Sequence, residues 1–258
     1  MKQLLLFSFL LFSSSFLNKT CAQKLTVAVS SNAQYVLEEL ITEFKKQHNV
    51  QIDLIIGSSG KLTQQIIQGA PFDIFFSADL EYPMELNKKG LTKGDPKVYA
   101  HGILILWTTK DMKLSKQLEF LKASSIKKIA LGNPQFSPYG KETIEILQKS
   151  GIYEEITSKI IQGESLSQVN QYIYSGICDL GFTSKSVVMT KKIKPKGNWL
   201  ELDPATYNPI PQAAVILKRG NKKTELLSAE FLDFTLSSKG REILKKNGYN
   251  LKDLSVEK

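Results

Sequence analysis

Short polar side chains recur where predicted strands give way to predicted helices. The stretch IGSSGKL places Ser58 and Ser59 after an apolar run and before a helical pattern. Four junctions share this feature, at residues 29–35, 57–62, 133–142 and 163–169. Such side chains accept hydrogen bonds from the backbone N–H groups that have no partner within the helix. Because a helix start also carries a partial positive charge, the same junctions are suited to an anion.

Helix capping explains each junction when it is taken singly. Ser31 precedes Gln34 by the spacing of a capping box, and GESLSQV repeats that spacing at 165–168. Asn32 is a second capable cap, and the serine and proline at 137–138 match an N-cap followed by proline in the first helical position. If the four helix starts converge on one cleft, they instead form a cage of neutral donors, which suits a fully ionised oxyanion. Periodicity does not show convergence, so both interpretations stay open on the residues alone.

The sequence lacks the common motifs of catalysis and nucleotide binding. It contains no Gly-x-Gly-x-x-Gly after the first predicted strand, no Walker loop and no Gly-x-Ser-x-Gly elbow. His48 and His101 have no Cys or His at metal-ligand spacing, so we expect structural or surface roles for both. Asp73 and Asp79 flank the third predicted strand, and we expect Asp79 to begin the next helix. We therefore expect no catalytic residue, no metal ligand and no cofactor.

The composition is that of a globular protein with scattered surface charge. The chain has 258 residues, of which 42% are hydrophobic and 23% charged, and its net charge is +9. Lysines are scattered among glutamates, and no stripe of arginines and aromatic residues is present, so we do not expect nucleic acid as a partner. Cys178 stands alone beyond the N-terminal segment, and we expect it to be buried.

The N-terminus has the pattern of a targeting segment. A lysine precedes the apolar run LLLFSFLLF (4–12), and TCAQ (20–23) offers a cleavage site after Ala22. Because the run is too short to span a membrane, residues 1–22 are predicted to be the signal peptide of a periplasmic protein. Lipid anchoring through Cys21 is the alternative, although Asn-Lys-Thr before it is a poor lipobox.

The rest of the chain alternates short apolar runs with amphipathic stretches, as an α/β protein with a parallel or mixed sheet does. One unit contains predicted strands at 25–30, 50–56 and 72–78, and another begins with predicted strands at 102–109 and 127–133. Two lobes joined by two crossing strands fit these lengths. A cleft between two lobes is a usual place for a small ligand.

The order of these stretches resembles the periplasmic molybdate-binding components of ABC transporters, the ModA-like solute-binding proteins. The resemblance rests on LTVAVSSNAQ and on the tracts IIGSSGKLTQQIIQGAPFDIFFSAD, ALGNPQFSPYGKETIEIL and GES to CDLGFTS. It implies a two-lobed α/β fold of the type II periplasmic-binding-protein kind, with a ligand cleft that closes by a hinge motion. Lobe I would comprise residues 24–102 and 216–258, and lobe II would comprise residues 103–215.

The resemblance also implies which residues bind a tetrahedral molybdate or tungstate. In the family, serine hydroxyls and backbone N–H groups hold the anion without a lysine or arginine as counter-charge. Ser31 and Asn32 match the first ligand-contacting junction of the family. Ser59 matches the serine of the second junction, with Ser58 beside it.

Three more residues complete the implied site. Tyr139 lies at the third junction, where some relatives use a tyrosine and others a backbone amide. Leu166 lies where the family usually has a valine that offers its backbone N–H. Some members place a ligand-contacting tyrosine after the LGF-like strand, and here that position is Ser184, so either Tyr139 or Ser184 takes this role.

The function implied by the resemblance is that of a binding protein rather than an enzyme. Such a protein captures the anion outside the inner membrane and delivers it, as a monomer, to a membrane permease whose ATPase subunits supply the energy. One alternative is a binding protein for another oxyanion or for a small organic acid, although no arginine occurs at the four junctions. The other alternative is an exported enzyme on the same scaffold.

Overall fold

The computed structural model describes residues 23–190, 192, 196–219 and 221–251. The predicted signal peptide, its cleavage site and Cys21 lie outside these residues. None of the helices within the described ranges is long and apolar enough to cross a membrane.

The described residues form ten β-strands and nine α-helices. The strands are β1 (Gln23–Ser30), β2 (Val50–Gly57), β3 (Ile74–Phe76), β4 (Thr92–Gly102), β5 (Leu104–Thr108), β6 (Ile129–Gly132), β7 (Ile160–Gly163), β8 (Leu180–Ser184), β9 (Asn198–Glu201) and β10 (Ile210–Leu217). The helices are α1 (Gln34–Phe44), α2 (Ser59–Ile67), α3 (Glu81–Lys88), α4 (Pro138–Lys149), α5 (Tyr153–Ile156), α6 (Leu166–Tyr174), α7 (Lys185–Met189), α8 (Lys222–Leu236) and α9 (Ser238–Lys246).

These strands make two mixed sheets, which confirms the predicted α/β class. The first sheet has the order β2-β1-β3-β10-β4, with β1, β2 and β3 parallel and β10 antiparallel to both of its neighbours. The second sheet has the order β7-β6-β8-β5-β9, with β6, β7 and β8 parallel and β5 antiparallel to β8 and β9. Each sheet therefore has one strand that is antiparallel to both of its neighbours. This strand is β10 in the first sheet, which the chain reaches from the second sheet, and β5 in the second sheet, which the chain reaches from the first.

Over the residues that the structure describes, the chain passes between the two sheets twice. Ile103 alone separates β4 of the first sheet from β5 of the second, and residues 202–209 connect β9 back to β10. This arrangement matches the predicted pair of lobes joined by two crossing segments. The predicted limit of lobe II at residue 215 falls inside β10, whereas the observed pairing places the whole of Ile210–Leu217 in the first sheet.

Each lobe has its own hydrophobic core between helices and sheet. The apolar face of α1 lies fully inside the first core, and the residues that the periodicity places on it are all buried: Val36, Leu37, Leu40, Ile41 and Phe44. The second core surrounds β5, β6 and β8 and contains Cys178, which is buried as predicted. Burial of these apolar faces stabilises helices that are too short to persist alone in water.

The long strand β4 differs from the sequence-based prediction. The apolar pattern predicted a strand at 102–109, whereas the structure has β4 ending at Gly102 and β5 beginning at Leu104. β4 lies at the edge of its sheet, so its first half is exposed and carries Lys93, Asp95 and Pro96. Charged residues and proline are tolerated on an edge strand, and they hide such a strand from apolar patterns.

Candidate functional site

The first two junctions meet at one edge of the first sheet. Strands β1 and β2 are parallel, and Ser30 at the end of β1 lies opposite Gly57 at the end of β2. A single 3-10 turn, Ser31–Ala33, leads from β1 into α1, and the Ser31 hydroxyl donates to the carbonyl of Gly57 at 3.1 Å. The Ser31 side chain therefore joins two strand ends and does not cap the helix that follows.

Ser59 joins the ends of β1 and β3. Its hydroxyl oxygen accepts a hydrogen bond from the backbone N–H of Ala78 at 3.0 Å, just beyond β3. The same hydroxyl donates to the hydroxyl oxygen of Ser30 at 3.1 Å. Ser59 is almost fully buried, and its hydroxyl holds the beginning of α2 against the edge of the sheet.

Ser58 occupies the N-cap position of α2 without capping it. Its backbone is extended, as in a usual N-cap, yet its side chain accepts no hydrogen bond from the helix. The Ser58 hydroxyl is buried and has no hydrogen-bond partner among the described residues. A buried hydroxyl without a partner is unfavourable by about 1–3 kcal/mol, so Ser58 is a candidate to hydrogen-bond a ligand.

The third and fourth junctions cap their helices as the sequence predicts. The Ser137 hydroxyl accepts a hydrogen bond from the backbone N–H of Gly140 at 3.3 Å, at the start of α4. The Ser165 hydroxyl accepts from the N–H of Gln168 at 3.4 Å, at the start of α6. Tyr139 and Leu166 lie in the first turns of these helices, where backbone N–H groups have no partner within the helix.

Hydrogen bonds bring the four junctions together in the cleft. The N–H of Asn133 donates to the carbonyl of Gly163 at 2.9 Å, which joins the third junction to the fourth. The N–H of Gly60 donates to the carbonyl of Phe136 at 3.0 Å, which joins the second junction to the third across the two lobes. Helix α6 also packs against the turn Ser31–Ala33. The convergence that periodicity left open is therefore present.

Asn32 and Tyr139 are linked through a residue that the sequence analysis missed. Gln212 in β10 accepts a hydrogen bond from the Asn32 amide at 2.8 Å and donates to the Tyr139 hydroxyl at 2.9 Å. Tyr99 also donates to Gln212, at 2.9 Å. The signal available in the sequence was a single glutamine within the otherwise apolar stretch IPQAAVIL. In the structure this glutamine is fully buried, and a buried amide needs hydrogen-bond partners.

Ser184 is connected to the first junction through two successive hydrogen bonds. It is fully buried at the N-cap position of α7, and its hydroxyl shares a hydrogen bond of 2.8 Å with Ser186. Ser186 then donates to the backbone carbonyl of Asn32 at 2.7 Å, and Tyr249 donates to the same carbonyl at 3.0 Å. The sequence analysis did not identify Ser186 or Tyr249, because neither lies in a junction motif.

Ion pairs connect the lobes around this region. Lys61 pairs with Glu164, and Lys192 pairs with Glu38, in each case from one lobe to the other. A third pair of this kind joins Lys141 to Glu81 at 3.0 Å. The charge of each lysine is therefore compensated by a carboxylate.

One acidic group near the cleft has a shifted pKa. Burial raises the pKa of Asp79 to about 6, while hydrogen bonds from Ser77 and from the N–H of Tyr82 favour its ionised form and limit the rise. Asp79 follows Ala78, whose N–H is bound by Ser59, and it lines a cavity of about 270 Å³ between the lobes. A larger cavity of about 620 Å³ lies in the second lobe, lined by residues from 116–119, 146–150 and 202–208.

The chain is similar to known solute-binding proteins. Residues 25–250 match the protein family described as bacterial extracellular solute-binding protein. The molybdate-binding protein ModA of Azotobacter vinelandii is 32% identical over 231 residues, which is 89% of this chain and 91% of that protein. ModA of Rhodobacter capsulatus is 31% identical and covers 88% of each chain.

Solved structures show the same fold. The periplasmic molybdate-binding protein of A. vinelandii superposes with a TM-score of 0.82 at 32% identity, covering 88% of this chain and 99% of that one. The sulfate-binding protein SubI of Mycobacterium tuberculosis shares the fold with a TM-score of 0.75 at 13% identity, covering 90% of this chain and 88% of that one. On the family match and the identity to the two ModA proteins, the chain belongs to the bacterial extracellular solute-binding proteins and is ModA-like.

Proposed function

We propose that this protein binds molybdate or tungstate in the cleft between its lobes and delivers the anion to an ABC transporter permease with its ATPase subunits. The two relatives above that are more than 30% identical carry molybdate binding in their names. The converging helix starts and buried hydroxyls described above support an oxyanion as the ligand. The proposal includes no catalytic step and no cofactor.

The observation that carries this proposal is the difference between the serines of the two lobes. Ser137 and Ser165 in the second lobe are occupied by capping, so they need no other explanation. Ser31 and Ser59 in the first lobe bind strand ends instead, and the Ser58 hydroxyl is buried with no partner among the described residues. An oxyanion beside Ser58 would accept the hydrogen bond that this hydroxyl lacks.

We place the anion between the junctions of the two lobes. The first lobe would provide side chains and backbone N–H groups, and the second lobe would provide the helix starts of α4 and α6. The proposed ligand residues are Ser31, Asn32, Ser58, Ser59, Tyr139, Leu166 and Ser184. Leu166 would contribute its backbone N–H, because its side chain is apolar and buried.

A site composed of donors would distinguish anions by their protonation. Molybdate and tungstate carry no proton at neutral pH, so each oxygen accepts hydrogen bonds. Monohydrogen phosphate keeps one proton, which would find no acceptor in such a site and would weaken binding. Sulfate is equally charged but smaller, so it would be excluded by the spacing of donors rather than by their chemistry.

The contacts between the lobes support closure around the ligand. Three ion pairs and the Gly60–Phe136 backbone hydrogen bond join the lobes on the side of the junctions. Within the described residues, Ile103 and residues 202–209 connect the two sheets, so these short segments are the candidate hinge. We propose that an exported monomer opens at this hinge, admits the anion and presents the closed form to the permease.

Isothermal titration of residues 23–258 against molybdate, tungstate, sulfate and phosphate tests this function. We expect one-to-one binding of molybdate and tungstate and no heat from phosphate. The variant Ser58→Ala should bind more weakly, whereas Ser175→Ala, at an exposed serine in the second lobe, is the control and should bind as the unmodified protein does. Absence of binding heat with all four anions would reject the oxyanion function and would favour an organic acid as the ligand or a catalytic function.

A further inference from the structure

Gln212 is the centre of a buried hydrogen-bond network that spans the two lobes. It is completely buried in β10, shortly after the crossing segment 202–209. Its amide contacts Asn32 and Tyr99 of the first lobe through one end and Tyr139 of the second lobe through the other. The amide thus connects two of the proposed ligand residues directly to a strand at the hinge.

One acceptor of the network, on Asn32, has no partner among the described residues. The Asn32 amide nitrogen donates to Gln212 at 2.8 Å and lies 3.4 Å from the Tyr249 hydroxyl. The Asn32 amide oxygen is buried and has no partner among the described residues. In this arrangement Gln212 donates to the Tyr139 oxygen, so the Tyr139 proton is available to another acceptor.

A half-turn of both amides gives a second arrangement of the same side chains. The Gln212 nitrogen then donates to the oxygens of Asn32 and Tyr99, and Tyr99 donates to the carbonyl of Ser77, which is 3.2 Å away. Tyr139 donates its proton to the Gln212 oxygen. The Asn32 nitrogen now lies where its oxygen was in the first arrangement, and there it needs an acceptor such as an anion oxygen.

The two amides cannot turn independently. If Gln212 turned alone, its nitrogen would face the Asn32 nitrogen, and two donors would lie at hydrogen-bond distance without an acceptor. The same conflict between two oxygens follows if Asn32 turns alone. The orientation of Gln212 therefore determines whether the free donor is the Tyr139 hydroxyl or the Asn32 amide.

The space around this network leaves little room for other arrangements. A Cβ atom on Gly102, at the end of β4, would lie 2.2 Å from the Tyr139 hydroxyl oxygen and 2.6 Å from the Gln212 amide nitrogen. Gly102 is the last residue before the crossing at Ile103. The Gln212–Tyr139 hydrogen bond is thus packed directly against the hinge.

We propose that Gln212 is a positioning residue of the anion site, whose amide selects which of two donors, Tyr139 or Asn32, points at the bound oxyanion. This inference rests on the proposed function. Gln212 need not touch the anion, because it acts through its two neighbours. It also makes the donor set depend on lobe closure, since Tyr139 reaches Gln212 from the second lobe.

The variant Gln212→Glu tests this role through the pH dependence of binding. The ionised carboxylate has only acceptors, so it would accept hydrogen bonds from both Asn32 and Tyr139 and would repel the oxyanion. The protonated carboxyl has one donor and one acceptor, like the original amide. We expect molybdate affinity at least tenfold weaker than that of the unmodified protein at about pH 8.5, and recovery towards it by about pH 6, because burial raises the pKa of a carboxyl.

The ionisable groups around Gln212 are shared by the unmodified protein, which serves as the reference at each pH. Burial raises the pKa of the phenols of Tyr99, Tyr139 and Tyr249, so they stay protonated throughout. Asp79, whose carbonyl accepts from Ala213 beside Gln212, is the neighbouring acid. Titration of Asp79 changes the affinity of both proteins, so the ratio of the two affinities at each pH removes its effect.

Two further variants complete the experiment. Gln65→Glu makes the same charge change at an exposed position of α2, and its affinity should follow the unmodified protein across the pH range. Methionine in Gln212→Met has no donor and only a weak acceptor, and we expect weaker binding with the pH profile of the unmodified protein. If Gln212→Glu does not fold, Gln212→Met serves as the test in its place.

Equal affinities and parallel pH profiles for Gln212→Glu and the unmodified protein would overturn the inference while leaving the binding function intact. Unchanged affinity of Gln212→Met would overturn it in the same way. Failure of the unmodified protein to bind molybdate would instead reject the proposed function itself.

Discussion

Gly60 at the start of α2 and Phe136 ahead of α4 are joined by a backbone hydrogen bond of 3.0 Å that crosses from one lobe to the other. A helix-start N–H, which the sequence offers as a donor to an anion, is thus used to hold the lobes together. The closed cleft is defined by backbone atoms as well as by side chains. Its formation depends on a residue without a side chain at position 60.

Gly60→Ala should hinder closure. A Cβ atom there would lie 2.9 Å from the Phe136 Cα atom and 2.6 Å from the Tyr82 hydroxyl, and the backbone contact cannot be relieved by a rotamer change. We expect molybdate affinity to fall at least tenfold, which is about 1.4 kcal/mol. Titration calorimetry measures this loss. Small-angle scattering should show that the ligand no longer compacts the variant, and full compaction would contradict the role of Gly60.

Ser58→Ala and Ser59→Ala should separate binding from stability. Removing the unpaired Ser58 hydroxyl should leave the free energy of unfolding of the empty protein unchanged or higher, but weaken oxyanion binding by about 1–3 kcal/mol. Removing the Ser59 hydroxyl leaves the buried N–H of Ala78 without its partner, so both stability and affinity should fall by about 1–3 kcal/mol. Urea unfolding and calorimetry measure the two quantities, and the reverse pattern would exchange the roles of the two serines.

Tyr139→Phe and Ser184→Ala distinguish the two candidates for the tyrosine position of the family. The Tyr139 hydroxyl has a free proton in the first arrangement of the network, so we expect Tyr139→Phe to weaken binding by about 1 kcal/mol. Ser184 shares its hydrogen bond with Ser186, and we expect Ser184→Ala to change affinity by less than about 0.5 kcal/mol. A clear loss for Ser184→Ala with none for Tyr139→Phe would reverse this assignment.

The raised pKa of Asp79 predicts how stability depends on pH. Because burial raises it from 3.8 to about 6 in the folded protein, folding takes up a proton in this range. The contribution of Asp79 to the free energy of unfolding is therefore present below about pH 4 and falls, by roughly 2–3 kcal/mol, as the pH rises to about 6.

Asp79→Asn should remove this part of the pH dependence. The asparagine oxygen keeps the hydrogen bonds from Ser77 and Tyr82, and no charge remains to be desolvated. We expect the variant to be more stable than the unmodified protein at pH 7, measured by urea unfolding, while Asp111→Asn at an exposed position serves as control. A loss of stability at pH 7 would show that the Asp79 charge is needed in the folded state.

Local signals allowed much of the fold to be predicted from the sequence. The capping residues Ser137 and Ser165 lie three residues or fewer from the groups that they bind, so the starts of α4 and α6 could be identified from the chain alone. The apolar face of α1 was equally clear, because its period is a property of the helix itself. The resemblance to the ModA-like proteins then supplied the arrangement of the lobes.

Contacts between distant residues could not be predicted in this way. Asn32 and Gln212 are 180 residues apart in the chain, and Ser59 and Ala78 are 19 apart. Capping explained each of the four junctions taken singly, but Ser31 and Ser59 do not cap a helix, because groups at the strand ends brought together by the sheet bind their hydroxyls. Only the folded protein shows that the Ser58 hydroxyl has no partner among the described residues.

A crystal structure of the protein with tungstate tests the central claim most directly, because the strong anomalous signal of tungsten distinguishes the anion from the atoms of the protein. The account predicts one strong peak between the lobes, with its oxygens within hydrogen-bond distance of the Ser58 hydroxyl and the Leu166 N–H. A peak confined to another place, such as the 620 Å³ cavity of the second lobe, or a cleft without tungsten, would contradict it.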